Sequence, residues 1–128
     1  MRNIIKPFDW PLIIRLFFVG CLYFAIGLAA LLPGTKPPAS GRIDLYLHAL
    51  VFGVLTVITF AGFPRLWIAA SIVFGFSILI EVGQIFVPER SASWDDIAAN
   101  ASGVSTAALV LLICRGIRRR TVSAKGGG

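Results

Sequence analysis

The sequence predicts an all-α, polytopic membrane protein built as a bundle of four transmembrane helices. Its 128 residues are 57% apolar and only 14% charged, whereas soluble domains carry about 25% charged residues. Four apolar runs approach the roughly 20 residues that a helix needs to cross the hydrocarbon layer. No run alternates as barrel strands do. Because a chain in lipid must satisfy its own backbone hydrogen bonds, each run is predicted to be a helix.

The four predicted spans are separated by turns rich in glycine, proline or charge. They cover residues 12–32, 43–63, 66–87 and 97–114. The first run has about 20 apolar residues, more than the roughly 7–15 of a signal-peptide core, so it is predicted to be a span. The chain then divides into an N-terminal segment (1–11), a four-helix domain (12–114) and a basic C-terminal tail (115–128).

The basic residues predict the orientation in the membrane. Nine fall on the side of the two termini and three on the other side, so both termini are predicted to be cytoplasmic. The net charge of +6 comes from residues that flank apolar runs and form no stripe with interleaved aromatics. The expected partner is therefore the lipid bilayer, and nucleic-acid binding is not expected.

Three polar pairs lie at the ends of the spans opposite the termini. Asp44 and His48 are four residues apart at the start of the second run, and Glu81 and Gln84 are three apart at the end of the third. The third pair, at the start of the fourth run, is Asp96 and Asn100. Such spacings put each pair on one helical face, and lipid exposure would cost several kcal/mol. The pairs are predicted to turn inward and meet, with Arg90 as a counter-charge.

Simpler roles remain open for several of these residues. Ser93 and Asp96 match a capping box in its Asp form. Asn100, Gly103 and Ala107 lie on one face of the fourth helix and can serve its packing against the second or third helix. Gln84 can equally serve as an interhelical hydrogen bond.

The ionisable groups deepest in the spans, His48 and Glu81, are candidates for function, although a purely structural pair is the alternative. The single histidine argues against a zinc site, so neither a metal nor another cofactor is expected. Cys21 and Cys114 are interpreted as small apolar residues.

The polar residues together resemble the VanZ-like membrane domain over about residues 12–113. The pattern is Asp44-x3-His48, then Glu81-x2-Gln84-x-Phe86-x-Pro88-x-Arg90-x5-Asp96-x3-Asn100-x2-Gly103. Leu45 stands where the family often has lysine, and Ala107 where it often has a second glycine. The resemblance implies a multi-pass protein of the bacterial inner membrane and cell envelope. The family's namesake is associated with low-level resistance to the glycopeptide teicoplanin.

Two functions are compatible with these residues. In the first, the protein binds a lipid-linked or cell-wall precursor, or another membrane protein, at its outer face. Arg90 would meet phosphate or carboxylate, and Gln84, Asp96 and Asn100 would line the binding site.

In the second, the protein is a small intramembrane enzyme acting on a lipid head group. His48 would be the general acid or base, Asp44 would orient its ring, and Glu81 would be the second acid/base group. A transporter is less favoured, because four short spans show no evident repeat.

Overall fold

The computed structural model describes residues 11–33, 41–88, 90 and 92–125. The described chain forms four helices: α1 (Leu12–Leu31), α2 (Gly41–Gly62), α3 (Leu66–Gln84) and α4 (Trp94–Lys125). All four are long and apolar enough to cross a membrane, and the described ranges contain no strand. The predicted all-α, four-span fold is confirmed. The predicted N-terminal segment lies outside the described residues except for Pro11.

The helix ends differ from the predicted spans, most clearly in the fourth helix. This helix begins at Trp94 instead of residue 97 and continues to Lys125 instead of ending near residue 114. Hydropathy predicts only the part of a helix that lies in hydrocarbon. Arginine has a high helix propensity, so the helix can continue beyond its apolar part. At 1.5 Å per residue, 32 residues span about 48 Å, more than the roughly 30 Å of hydrocarbon. The arginine-rich end of α4 therefore extends past the apolar layer.

The closest helix pair in the bundle is α2 with α4, and the two run parallel. His48 meets Asn100 near the start of both helices, and Gly103 lies against the backbone of Ala49 one turn further in. Gly53 also approaches Gly103, since a Cβ there would be 3.3 Å from the Gly103 carbonyl oxygen. Small residues on both helices let the two backbones approach closely.

Helix α1 lies at the side of the bundle and has no buried residue. Its Tyr23 hydroxyl is 2.8 Å from the Thr59 hydroxyl of α2, and the Tyr23 ring packs on Phe76 of α3 with centroids 4.6 Å apart. The buried apolar cluster comes from the other three helices and comprises Phe52, Leu55, Val73, Ile80 and Val104. The outward surface of α1 is apolar, as lipid contact requires.

The orientation predicted from the basic residues can be tested by cysteine labelling. In a background without Cys21 and Cys114, we expect Ser91→Cys to react with an impermeant maleimide in intact cells, because the 88–96 turn is predicted to lie outside. Ser91 itself lies outside the described residues. Thr121→Cys, on the exposed far end of α4, should react only after permeabilisation. The reverse pattern would overturn the predicted topology.

Candidate functional site

Four polar side chains from α2 and α4 meet at one end of the bundle. We call the polar end the end at which α2 begins, α3 ends and α4 begins. His48 Nδ1 lies 3.0 Å from Asn100 Oδ1, and His48 Nε2 lies 4.0 Å from Asp44 Oδ1. Asp44, His48 and Asp96 each offer a metal-ligating atom, and these atoms lie within 4.8 Å of one another. Asn100 is 0% exposed, and the other three are half-buried.

The shared helical spacing explains why these side chains meet. Asp44 and His48 are four residues apart on α2, and Asp96 and Asn100 are four apart on α4. Each pair therefore forms one short row on its helix. Because α2 and α4 are parallel and held close at Gly103, the two rows face each other in the same order.

The start of α4 is capped in a way that leaves Asp96 free to join this group. Ser93 Oγ accepts a hydrogen bond of 3.2 Å from the Asp95 amide, so Ser93 is the cap residue. In a capping box the third residue of the helix, here Asp96, would accept the Ser93 amide. That amide instead donates to Glu81 Oε2 at 3.3 Å. Glu81 of α3 thus occupies the place that the sequence pattern gave to Asp96.

Glu81 lies in different surroundings from His48. Its side chain is 1% exposed and lies at the N-terminus of α4, where the helix dipole favours a negative charge. It lines a separate apolar cavity together with Ser93, Trp94 and Ile97. The contacts of His48 lead instead to Asn100 and Asp44. His48 and Glu81 lie at similar depths in antiparallel helices, which is why the sequence predicts a shared site. Depth alone does not determine the direction in which each side chain points.

A groove between α1, α2 and α3 opens beside His48 at the polar end. Its volume is about 210 Å³. The polar residues at its mouth are Asp44, His48, Gln84 and Arg90. Gln84 Nε2 donates a hydrogen bond of 3.2 Å to the Ala30 carbonyl of α1. This interhelical hydrogen bond holds α1 against α3. The buried Nε of Arg90 has no hydrogen-bond partner among the described residues.

Sequence reasoning missed the α2 side of the closest contact. Gly103 and Ala107, which the sequence predicts to be packing residues, line the same crevice as Ala49 and Gly53 of α2. The Ala49-x3-Gly53 spacing is a small-xxx-small pattern, the signal that could have identified the partner helix. The single histidine argues against a zinc site, but the parallel packing of α2 and α4 places Asp96 beside Asp44 and His48.

Together, the fold and the site define a multi-pass membrane protein with half-buried and buried polar side chains gathered at one end of four helices. The model of the VanZ/LLP1 family matches residues 12–115. The chain therefore belongs to this family, and the resemblance seen in its motifs is confirmed. Comparisons with curated proteins and with solved structures gave no match.

Proposed function

We propose that the protein binds the anionic head group of an envelope lipid or lipid-linked precursor in the groove at its polar end. The observation that carries the proposal is the gradient of polarity along the groove. The polar lining residues of α2 and α3 lie nearest the polar end, and apolar residues follow further in. On α2, Asp44 and His48, with Leu47 between them, come before Val51 and Phe52, and on α3 Gln84 lies nearer that end than Ile80. On α1 the small Ala30 lies nearer that end than Ile26.

The dimensions of the groove suit an amphiphile. From Asp44 to Phe52, eight residues of helix span about 12 Å along the axis of α2. A volume of about 210 Å³ is below the roughly 300–1,000 Å³ of pockets that enclose a whole drug-sized ligand. It accommodates a head group and the first part of a chain, while the rest of the lipid stays in the bilayer.

Arg90 supplies the charge for an anionic ligand. Arg90 lines the groove, and its buried Nε has no hydrogen-bond partner among the described residues. A planar guanidinium recognises phosphate or carboxylate through paired hydrogen bonds, which are stronger than neutral ones.

The arrangement supports binding over the acid/base alternative. An enzyme that used His48 and Glu81 as its two acid/base groups would need both side chains to contact the same substrate. The described hydrogen bond of Glu81 leads to the Ser93 amide, whereas that of His48 leads to Asn100. The proposal includes a place in the bacterial inner membrane and cell envelope. The proposal also includes a contribution to low-level teicoplanin resistance, for which the only support is the association of the family's namesake with that resistance.

Lipid retention by the purified protein tests the proposal. Native mass spectrometry in detergent would count bound phosphatidylglycerol, as an anionic probe, and bound phosphatidylcholine, as a neutral one. We expect preferential retention of the anionic lipid, and we expect Arg90→Gln to weaken it about tenfold or more, because a charge-assisted hydrogen bond contributes about 1.5–3 kcal/mol.

Arg118→Gln is the matched control, because it removes the same charge from an exposed position at the other end of α4. It should leave retention of phosphatidylglycerol unchanged. Equal retention of the two lipids by the parent protein would contradict the proposal, as would equal losses in the two arginine variants.

A further inference from the structure

We propose that Asp44, His48 and Asp96 bind a divalent transition-metal ion between α2 and α4. One ligating atom from each residue lies within 4.8 Å of the other two. His48 Nε2 and Asp44 Oδ1 are 4.0 Å apart, too far for a hydrogen bond. A tetrahedral ion with ligands at about 2.0–2.2 Å holds them about 3.4 Å apart, so small side-chain rotations would bring all three atoms to coordination distance.

The charges at this place favour a cation. Two carboxylates, Asp44 and Asp96, lie beside the His48 imidazole, and each offers an oxygen that a divalent cation can bind. Among the described residues, no arginine or lysine lies within ion-pair distance of either carboxylate; the close basic group is His48. Arg90 lines the same groove as Asp44 and remains outside that distance. A divalent ion would neutralise both carboxylates.

Asn100 independently indicates a ligand at this site. It is 0% exposed, and its Oδ1 reaches His48 Nδ1 at 3.0 Å. In this orientation of the amide, Nδ1–H donates to Oδ1 and the Nε2 lone pair is directed towards Asp44. Metal-ligating histidines are commonly held in this way through their other ring nitrogen. The Nδ2 of Asn100 is buried and has no partner among the described residues. Asn100 is thus a positioning residue.

The ligand set indicates which cation fits. One imidazole nitrogen and two carboxylate oxygens suit zinc or manganese, whereas calcium and magnesium prefer oxygen alone and copper(I) prefers sulfur. Three protein ligands leave further coordination positions open, as in catalytic zinc sites. The side chains of Asp44 and His48 are 42% and 23% exposed, so an ion can enter from the polar end. The metal site depends on these three ligands alone and does not require the proposed head-group binding.

Zinc titration of the full-length protein tests the site. The protein would carry a tag without histidines, be stripped with a chelator in detergent, and be titrated with Zn²⁺ against a chromophoric competitor. We expect one ion per chain in the parent. Asp96→Asn and His48→Gln should each weaken affinity at least about 100-fold, because each removes one of three ligands.

Asp95→Asn is the matched control. Asp95 is the exposed neighbour of Asp96 on the first turn of α4, and its amide nitrogen, which the substitution keeps, makes the contact with Ser93. Its affinity for Zn²⁺ should equal that of the parent. A loss in Asp95→Asn as large as that in Asp96→Asn would indicate diffuse attraction to acidic residues and would overturn the proposal.

A second measurement keeps the proposal testable if a variant fails to fold. His48 is the single histidine of the chain, so ¹⁵N labelling of histidine gives one imidazole whose nitrogen resonances report on this site in the parent protein. We expect Zn²⁺ to shift the unprotonated nitrogen and to leave Nδ1–H in place. No response to Zn²⁺ or Mn²⁺ would overturn the proposal and leave His48 in a simple hydrogen-bonded pair.

Discussion

Among the glycine-to-alanine changes in the described chain, Gly103→Ala should destabilise the protein most. A Cβ built on Gly103 would overlap the carbonyl oxygen of Ala49 and would lie 2.8 Å from its carbonyl carbon and 2.9 Å from its Cα. These are backbone atoms of α2, so no side-chain rotation relieves the overlap and the two helices must separate. We expect a loss of more than about 3 kcal/mol, the upper end of the usual cost of overpacking.

Thermal unfolding in detergent, followed by circular dichroism, would measure this loss. Gly116→Ala is the control on the same helix, since a Cβ at Gly116 meets nothing within 4 Å and alanine favours a helix over glycine. Its midpoint should equal or slightly exceed that of the parent. If both variants melted together with the parent, the close contact between α2 and α4 would be wrong.

Glu81→Ala should give the next largest loss of stability. The Glu81 carboxylate is 1% exposed and accepts the amide of the cap residue Ser93. Its removal leaves that amide without its acceptor at the start of α4, where a negative charge is also favoured by the helix dipole. A hydrogen bond to a charged group contributes about 1.5–3 kcal/mol, so we expect a destabilisation of this order. Hydrogen exchange at the Ser93 amide should accelerate in the variant.

Glu81→Gln separates this structural role from the acid/base alternative. Glutamine keeps an oxygen that can accept the Ser93 amide, so the loss of stability should be clearly smaller than in Glu81→Ala. Lipid retention should also survive, because Glu81 does not line the groove. If Glu81→Gln melted like the parent and retained lipid, yet abolished the protein's activity in cells, the acid/base alternative would be supported instead.

Local sequence patterns alone determined the four helices and the polar pairs. Hydropathy over about 20 residues is a local property, and so is the four-residue spacing that places Asp44 with His48 and Asp96 with Asn100 on single faces. The alternation of helix direction then put the start of α2, the end of α3 and the start of α4 at one end. The polar end could therefore be predicted without any knowledge of packing.

The rotation and register of the helices required the tertiary structure. No local sequence pattern predicts that the Glu81 side chain points to the Ser93 amide and not to His48. Either orientation would bury the Glu81 carboxylate. The hydrogen bond of Gln84 to Ala30 in α1 joins helices that no local pattern connects. Hydropathy likewise placed the end of α4 at the end of its apolar run, whereas the helix continues through the arginines to Lys125.

The register of α2 against α4 decides the composition of the site. With Gly103 on Ala49, the rows Asp44–His48 and Asp96–Asn100 lie side by side, and three ligating atoms come within 4.8 Å. A shift of one residue would rotate a row by about 100° about its helix and separate these groups. Sequence alone predicts which residues are polar and at what depth they lie, because those are properties of single helices. Their partners depend on backbone contact between helices, which the absence of a side chain at Gly103 permits.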